Sequence, residues 1–194
     1  MKLPGNKTIF GIALLVGALP IIGLQLYSRH QQPQPDVSQI TPILATRHLH
    51  GEIWVSEQIS PQSIATLKQQ GIQSIIAMRP DGEVENQPTA AAMEQEAQKH
   101  GLKFSYIPIP HGDIPEARVK DLQNILAKTE GPVLMYCRSG SRAARTWSLA
   151  EASRAGGLDL TTILGAVKSA GLKAEDLQPL IEQRIATRNA GGKS

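Results

Sequence analysis

The chain holds a single cysteine, Cys137, and it opens the hexapeptide Cys137-Arg138-Ser139-Gly140-Ser141-Arg142. The reactive form of cysteine is the thiolate, which cationic neighbours and a helix N-terminus both favour. The apolar stretch Pro132–Tyr136 precedes it, and the helix-forming stretch Ala143–Ala152 follows. This spacing predicts a thiol standing where a buried strand gives way to a helix start. Free backbone N–H groups at such a junction bind anions. Gly140 lets the backbone turn so that successive N–H groups point inward. Arg142 can offer a planar, bidentate fork to an oxyanion. Arg138 adds positive potential, while the hydroxyls of Ser139 and Ser141 can steady a thiolate or a leaving group. The pattern is that of a loop that binds an anion and attacks it. A plainer alternative makes Cys137 a small buried residue at a strand end, and Arg142 or Arg138 a solvated side chain. The Arg-x-Gly-x-Arg flank argues against the first of these.

Ester cleavage by a thiolate also needs an acid for the leaving oxygen. The first candidate is Asp113 in the loop His111-Gly112-Asp113, which could equally be the N-cap of a helix starting at Ile114 or Pro115. Asp81 and Glu83, in Arg79-Pro80-Asp81-Gly82-Glu83, form a second acid pair, with a simple Pro-Asp-Gly turn as the competing reading. His111 could shuttle a proton or simply be solvated. His48-x-His50 is half of a zinc site, but no further ligand follows in the sequence, so no metal is expected.

These residues need a frame. Glu52–Ser56 reads as a strand with Ile53 and Val55 on one face. Pro61 begins a helix capped by Ser60 and stopped at Gly71. Gln73–Met78 reads as a buried strand and Phe104–Ile109 as another. Thr89 caps a helix over Ala90–His100, which Gly101 ends. Ile114–Lys128 has a helical apolar face of Val119, Leu122, Ile125 and Leu126. Two more helices are expected near Leu160–Ala170 and Ala174–Ile185. Strands alternating with helices predict an α/β fold: a mostly parallel central sheet with helices on both faces. In such sheets ligands bind at the carboxyl ends of the strands. The loops Arg79–Asn86, Pro110–Asp113 and Cys137–Arg142 should therefore meet.

The 194 residues carry 20 Lys/Arg and 17 Asp/Glu. From Ile43 onward the count is 17 against 16, too balanced for a nucleic-acid binder. A lone cysteine excludes an internal disulfide and a cysteine metal cluster. Thr8–Ser28 is free of charge, and about 20 apolar residues cross a bilayer as a helix. Residues 1–28 are thus expected to be an N-terminal membrane anchor, with a cleaved signal peptide as the competing reading. Lys2 and Lys7 before the run favour an extracytoplasmic, periplasmic domain. Residues 29–42, rich in Gln and Pro, read as a linker, and 43–194 as the catalytic domain.

Three segments occur in a telling order: Val55-Ser56-Glu57-Gln58-Ile59-Ser60-Pro61, then Arg79-Pro80-Asp81-Gly82-Glu83, then the cysteine hexapeptide. In this the chain resembles the bacterial β-lactamase-hydrolase-like phosphatase-like domain family, related to dual-specificity phosphatases, over roughly Thr46 to Glu182. The resemblance implies Cys137 as nucleophile and Arg142 as anion binder. It implies a hydrolase working through a phosphocysteine on a small anionic substrate or phosphoprotein, without cofactor. One departure stands out. Protein tyrosine phosphatases carry Cys-x5-Arg, whereas this chain has Cys-x4-Arg, with Ala143 at the phosphatase arginine position. The shorter loop resembles that of rhodanese sulfurtransferases, which implies a Cys137 persulfide. A third reading, an anion-binding module without turnover, also stays open.

Overall fold

A computed structural model describes residues 45–191. The expected anchor over 1–28 and linker over 29–42 lie outside the described residues. Among those described, no helix is long and apolar enough to cross a membrane.

Five short strands form one sheet: β1 (Arg47–His50), β2 (Ile53–Ser56), β3 (Ser74–Ala77), β4 (Lys103–Tyr106) and β5 (Val133–Tyr136). Their spatial order is β1-β2-β5-β3-β4. The four strands from β2 onward are mutually parallel, and β1 alone runs antiparallel, on the β2 edge. The sheet is therefore mixed at one edge, where the sequence predicts only the parallel part. The reason is that β1 is polar: of Arg-His-Leu-His only Leu49 is buried. It carries no apolar alternation to read.

The inner strands show the period of two that burial on both faces demands. In β5, Val133 and Met135 join one core, and Leu134 and Tyr136 the other. In β3, Ile76 joins the first core and Ile75 and Ala77 the second. Two helices close the second core: α1 (Ile64–Gln69), entered through a 3-10 turn at Pro61–Ser63, and α2 (Ala90–Lys99). The first core is covered by α3 (Glu116–Leu126), α4 (Ser141–Ser153), α5 (Leu160–Ser169) and α6 (Gln178–Gly191).

Two predicted helix ends move. The helix expected from Ile114 begins at Glu116, with Pro115 extended at its N-cap. Asp113 caps nothing, because a proline stands between it and the helix. The last helix begins at Gln178 behind a 3-10 turn over Glu175–Leu177. Thr89 caps α2 as expected, its hydroxyl accepting from the Ala92 N–H at 3.2 Å.

Helix α4 is the most buried of the six. Trp147, Ser148, Leu149 and Ala150 are consecutive and all inaccessible, because α3, α5 and α6 surround it. Its N-terminus follows directly from β5, the central strand. The sheet thus holds Cys137 in the middle of its carboxyl edge.

Candidate active site

Cys137 leaves β5 fully buried, at 0% exposure, within the core that α4 shares. The chain then turns outward, so Arg138 and Ser139 are exposed. At Gly140 it adopts φ +86°, the left-handed region that glycine enters without steric cost, and α4 begins at Ser141. Among the described residues, no backbone N–H from Arg138 to Ala143 bonds a protein acceptor. A run of unpaired N–H groups at a helix start is a cradle for negative charge.

Arg142, in the first turn of α4, folds back over the loop and is only 12% exposed. Its Nη1 donates to Glu83 Oε1 at 2.5 Å and to the Ile109 carbonyl at 2.7 Å, and its Nη2 donates to Glu83 Oε2 at 2.8 Å. Glu83 also accepts from Arg79 Nε at 2.8 Å, and Arg79 Nη1 reaches Gln58 Oε1 at 3.3 Å. The bond to Glu83 raises the Arg142 pKa above its ordinary value, and the adjacent Cys137 sulfur adds to the effect. The carboxylate responds in the opposite sense. Chiefly through Arg142, and with help from Arg79, Glu83 is lowered to about 2.

Glu83 is therefore ionised at neutral pH and has no proton to give. The sequence offers it as an acid; the geometry makes it the clamp that aims Arg142. Its companion Asp81 has a structural role through one of its oxygens. Asp81 Oδ1 accepts from the Ala90 N–H at 2.8 Å, a second cap on α2 beside Thr89, and its own N–H donates to Tyr106 Oη at 2.9 Å. Gly82, at φ +76°, completes the turn read from Pro-Asp-Gly. Asp113 and His111 are both exposed, and neither makes a hydrogen bond or ion pair among the described residues. Arg138 is likewise unpaired among the described residues. Of the two histidines in β1, His48 Nε2 meets the Gly51 carbonyl at 2.8 Å and its ring packs edge-on to Trp54. His50 lies against Trp147, 6.0 Å between ring centres.

Every strand contributes a side chain or carbonyl to this edge. Gln58 follows β2, Arg79 and Glu83 follow β3, Ile109 follows β4 and Cys137 follows β5. The antiparallel β1 places its first residue there too: Arg47 Nη2 donates to the Ser139 carbonyl at 2.5 Å. Sequence reasoning missed Arg47, Gln58 and Arg79. Only Arg79 carries a signal, since it follows a buried strand and stands four residues before a glutamate.

The model of the β-lactamase hydrolase-like protein family's phosphatase-like domain matches residues 45–154. β-Lactamase hydrolase-like proteins from Xylella fastidiosa (strain Temecula1) and Agrobacterium fabrum are similar in sequence. The first is 37% identical over 97 residues, 50% of this chain and 22% of the relative. The second is 38% identical over 87 residues, 45% and 20% respectively. The chain thus spans about a fifth of the length of the curated relatives it matches. Among solved structures, one from Neisseria meningitidis, described provisionally as a phosphatase, superposes with a TM-score of 0.62 at 29% identity, covering 71% of this chain and 96% of the other. The catalytic core of the PP-IP phosphatase Siw14 from S. cerevisiae superposes with a TM-score of 0.53 at 22% identity, covering 75% and 92%, a likeness of fold alone.

Proposed function

We propose, since the chain belongs to the family of the β-lactamase hydrolase-like protein's phosphatase-like domain, that it is a cysteine-dependent phosphatase-like hydrolase acting on a phosphorylated small molecule or protein. The observation that carries this reading is the buried Cys137 beside a clamped Arg142 at the start of a run of unpaired N–H groups. In the proposed reaction the Cys137 thiolate attacks phosphorus. An S–P bond forms and the ester P–O bond breaks, while the loop N–H groups and Arg142 hold the phosphoryl oxygens. Asp113 gives its proton to the leaving oxygen. Water then attacks the phosphocysteine, the S–P bond breaks, and phosphate and thiolate are released. No cofactor takes part. Through residues 1–28 the chain would sit on a membrane with this domain on the periplasmic side.

A second reading is sulfur transfer. Two observations favour it: the loop is one residue shorter than that of tyrosine phosphatases, and both terminal nitrogens of Arg142 are already committed to Glu83. That leaves fewer donors for three equatorial oxygens. Cys137 would attack a sulfane sulfur, forming an S–S bond as the donor's own is cleaved, and pass the outer sulfur to a thiophilic acceptor. It would need no acid.

The full chain in a mild detergent, assayed with an aryl phosphate and with thiosulfate plus cyanide, separates these readings. Phosphate release that disappears in Cys137→Ser supports the phosphatase. Thiocyanate without phosphate release replaces it by the sulfurtransferase. Phosphate binding with no turnover of either leaves an anion-binding module. Asp113→Asn is expected to slow phosphate release at least tenfold and to spare sulfur transfer.

A further inference from the structure

Arg47 stands outside the motifs above, yet it touches the loop. It is the first residue of β1 and pairs with Val55 across the antiparallel ladder. Because β1 runs against its neighbours, its beginning lies at their carboxyl edge. Val55 belongs to the same core face as Met135 and Cys137. Paired residues of adjacent strands share a face, so Arg47 approaches the loop from the side on which Cys137 lies.

Three details define the contact. Nη2 donates to the Ser139 carbonyl at 2.5 Å. A Cβ on residue 140 would stand 2.6 Å from that same nitrogen and 3.3 Å from the Ser56 carbonyl. The glycine therefore serves the space that Arg47 fills as well as the left-handed backbone. Finally, Arg47 Nε is buried without an acceptor, and among the described residues no carboxylate pairs with the guanidinium. The rest of the side chain is partly exposed, so water shares in solvating the guanidinium and the Ser139 carbonyl fixes where it points.

We infer that Arg47 is a positioning residue for the Cys137 loop: by holding the Ser139 carbonyl, it fixes the orientation of the Ser139–Gly140 peptide and so turns the Gly140 N–H toward the bound anion. The physics is that of a planar trans peptide, in which C=O and N–H point in opposite directions. Gly140 has the lowest barrier of any residue to a flip of its peptide, since both signs of φ are open to it. An external donor on the carbonyl removes that freedom. The inference rests on reading the loop as an anion cradle, but it does not require turnover.

The test measures how well inorganic phosphate protects Cys137 of the full chain from iodoacetamide, a readout independent of any enzymatic assay. Arg47→Met should weaken phosphate protection roughly tenfold, the scale of one charge-assisted hydrogen bond. Arg47→Lys, which can donate to the same carbonyl, should recover most of it. Unchanged protection in Arg47→Met overturns the inference, as does a loss that lysine does not relieve. Should Arg47→Met fail to fold, Arg47→Gln is judged by the same criteria. Absence of protection in the unsubstituted chain sinks the anion cradle and this inference together. Protection that responds to Arg47 in a chain with no phosphatase activity keeps the inference and discards the hydrolase.

Discussion

Glu83 joins two arginines that the sequence does not connect. Arg142 lies 59 positions away, and nothing in the local pattern announces that pairing. The cysteine hexapeptide is legible because its parts are contiguous, so strand, thiol, glycine and helix start can be read in one window. The clamp is not legible, because it exists only once β3 and β5 lie side by side. Replacing Glu83 by Gln should leave the buried Arg79 and the largely buried Arg142 short of a counter-charge. The expected cost is about 2 kcal/mol of stability, read from urea unfolding, with a larger proportional fall in phosphate affinity at the loop. A variant that lost stability but bound phosphate normally would mean that Arg142 does not need its clamp. Asp113 shows the opposite limit. The sequence marks it as a candidate acid, and the geometry leaves it free in solvent, so only the leaving-group dependence of an Asp113→Asn variant decides its role.

Helix α4 is legible because its sequence is rich in helix formers, yet the burial of its Thr146–Ala152 stretch is not, since Ser148 and Glu151 disguise a core helix as a surface one. Ser148 Oγ is satisfied by the Ala144 carbonyl at 2.9 Å. Glu151 is satisfied by Arg154. The far end of the helix is closed by Arg188 of α6, which donates to the carbonyls of Glu151 at 2.7 Å and Leu158 at 2.7 Å. Gly157 makes this closure possible. A Cβ there would fall 2.1 Å from the Glu151 carbonyl and 2.7 Å from the Arg188 guanidinium. Gly157→Ala should therefore open the end of α4 and cost about 2–4 kcal/mol, seen as a lowered thermal midpoint. A stability within 0.5 kcal/mol of the unsubstituted chain, roughly the scatter of neutral surface changes, would show that Arg188 is not needed to close the helix. Strand β1, by contrast, had no readable signature, because an edge strand with one buried residue is written in turn and charge rather than in hydrophobic period.

Over the described residues, ion pairs tie helices to partners distant in the chain: Arg142 to Glu83 in a loop, Arg145 to Asp176 in a 3-10 turn, and Arg184 of α6 to Glu116 at the start of α3. In each the arginine lowers the carboxylate's pKa, chiefly by a side-chain hydrogen bond, and Glu83 reaches about 2. A carboxylate depressed by folding binds its proton more readily when unfolded. Its contribution is thus complete above the unfolded value, near 4.5 for Glu83, and fades as pH falls toward the folded one. The urea midpoint is expected to be level from pH 7 to about 5 and to drop steadily from pH 4.5 toward pH 2. In Glu83→Gln the drop should be shallower. A midpoint independent of pH across that window would mean that the pairs are formed equally in the unfolded chain.

The sheet divides its two tryptophans. Trp147 is wholly enclosed on the α4 side, and Trp54 is half-buried on the α1 and α2 side. Each hydrophobic layer therefore contains one tryptophan of its own. With Trp54→Phe, emission comes from Trp147 alone, on the helix that starts at the cysteine loop; with Trp147→Phe, it comes from the opposite layer. Light from the first should be blue and should respond to an anion settling on the loop, while light from the second stays still, so that occupancy and unfolding can be followed as separate signals in one cuvette.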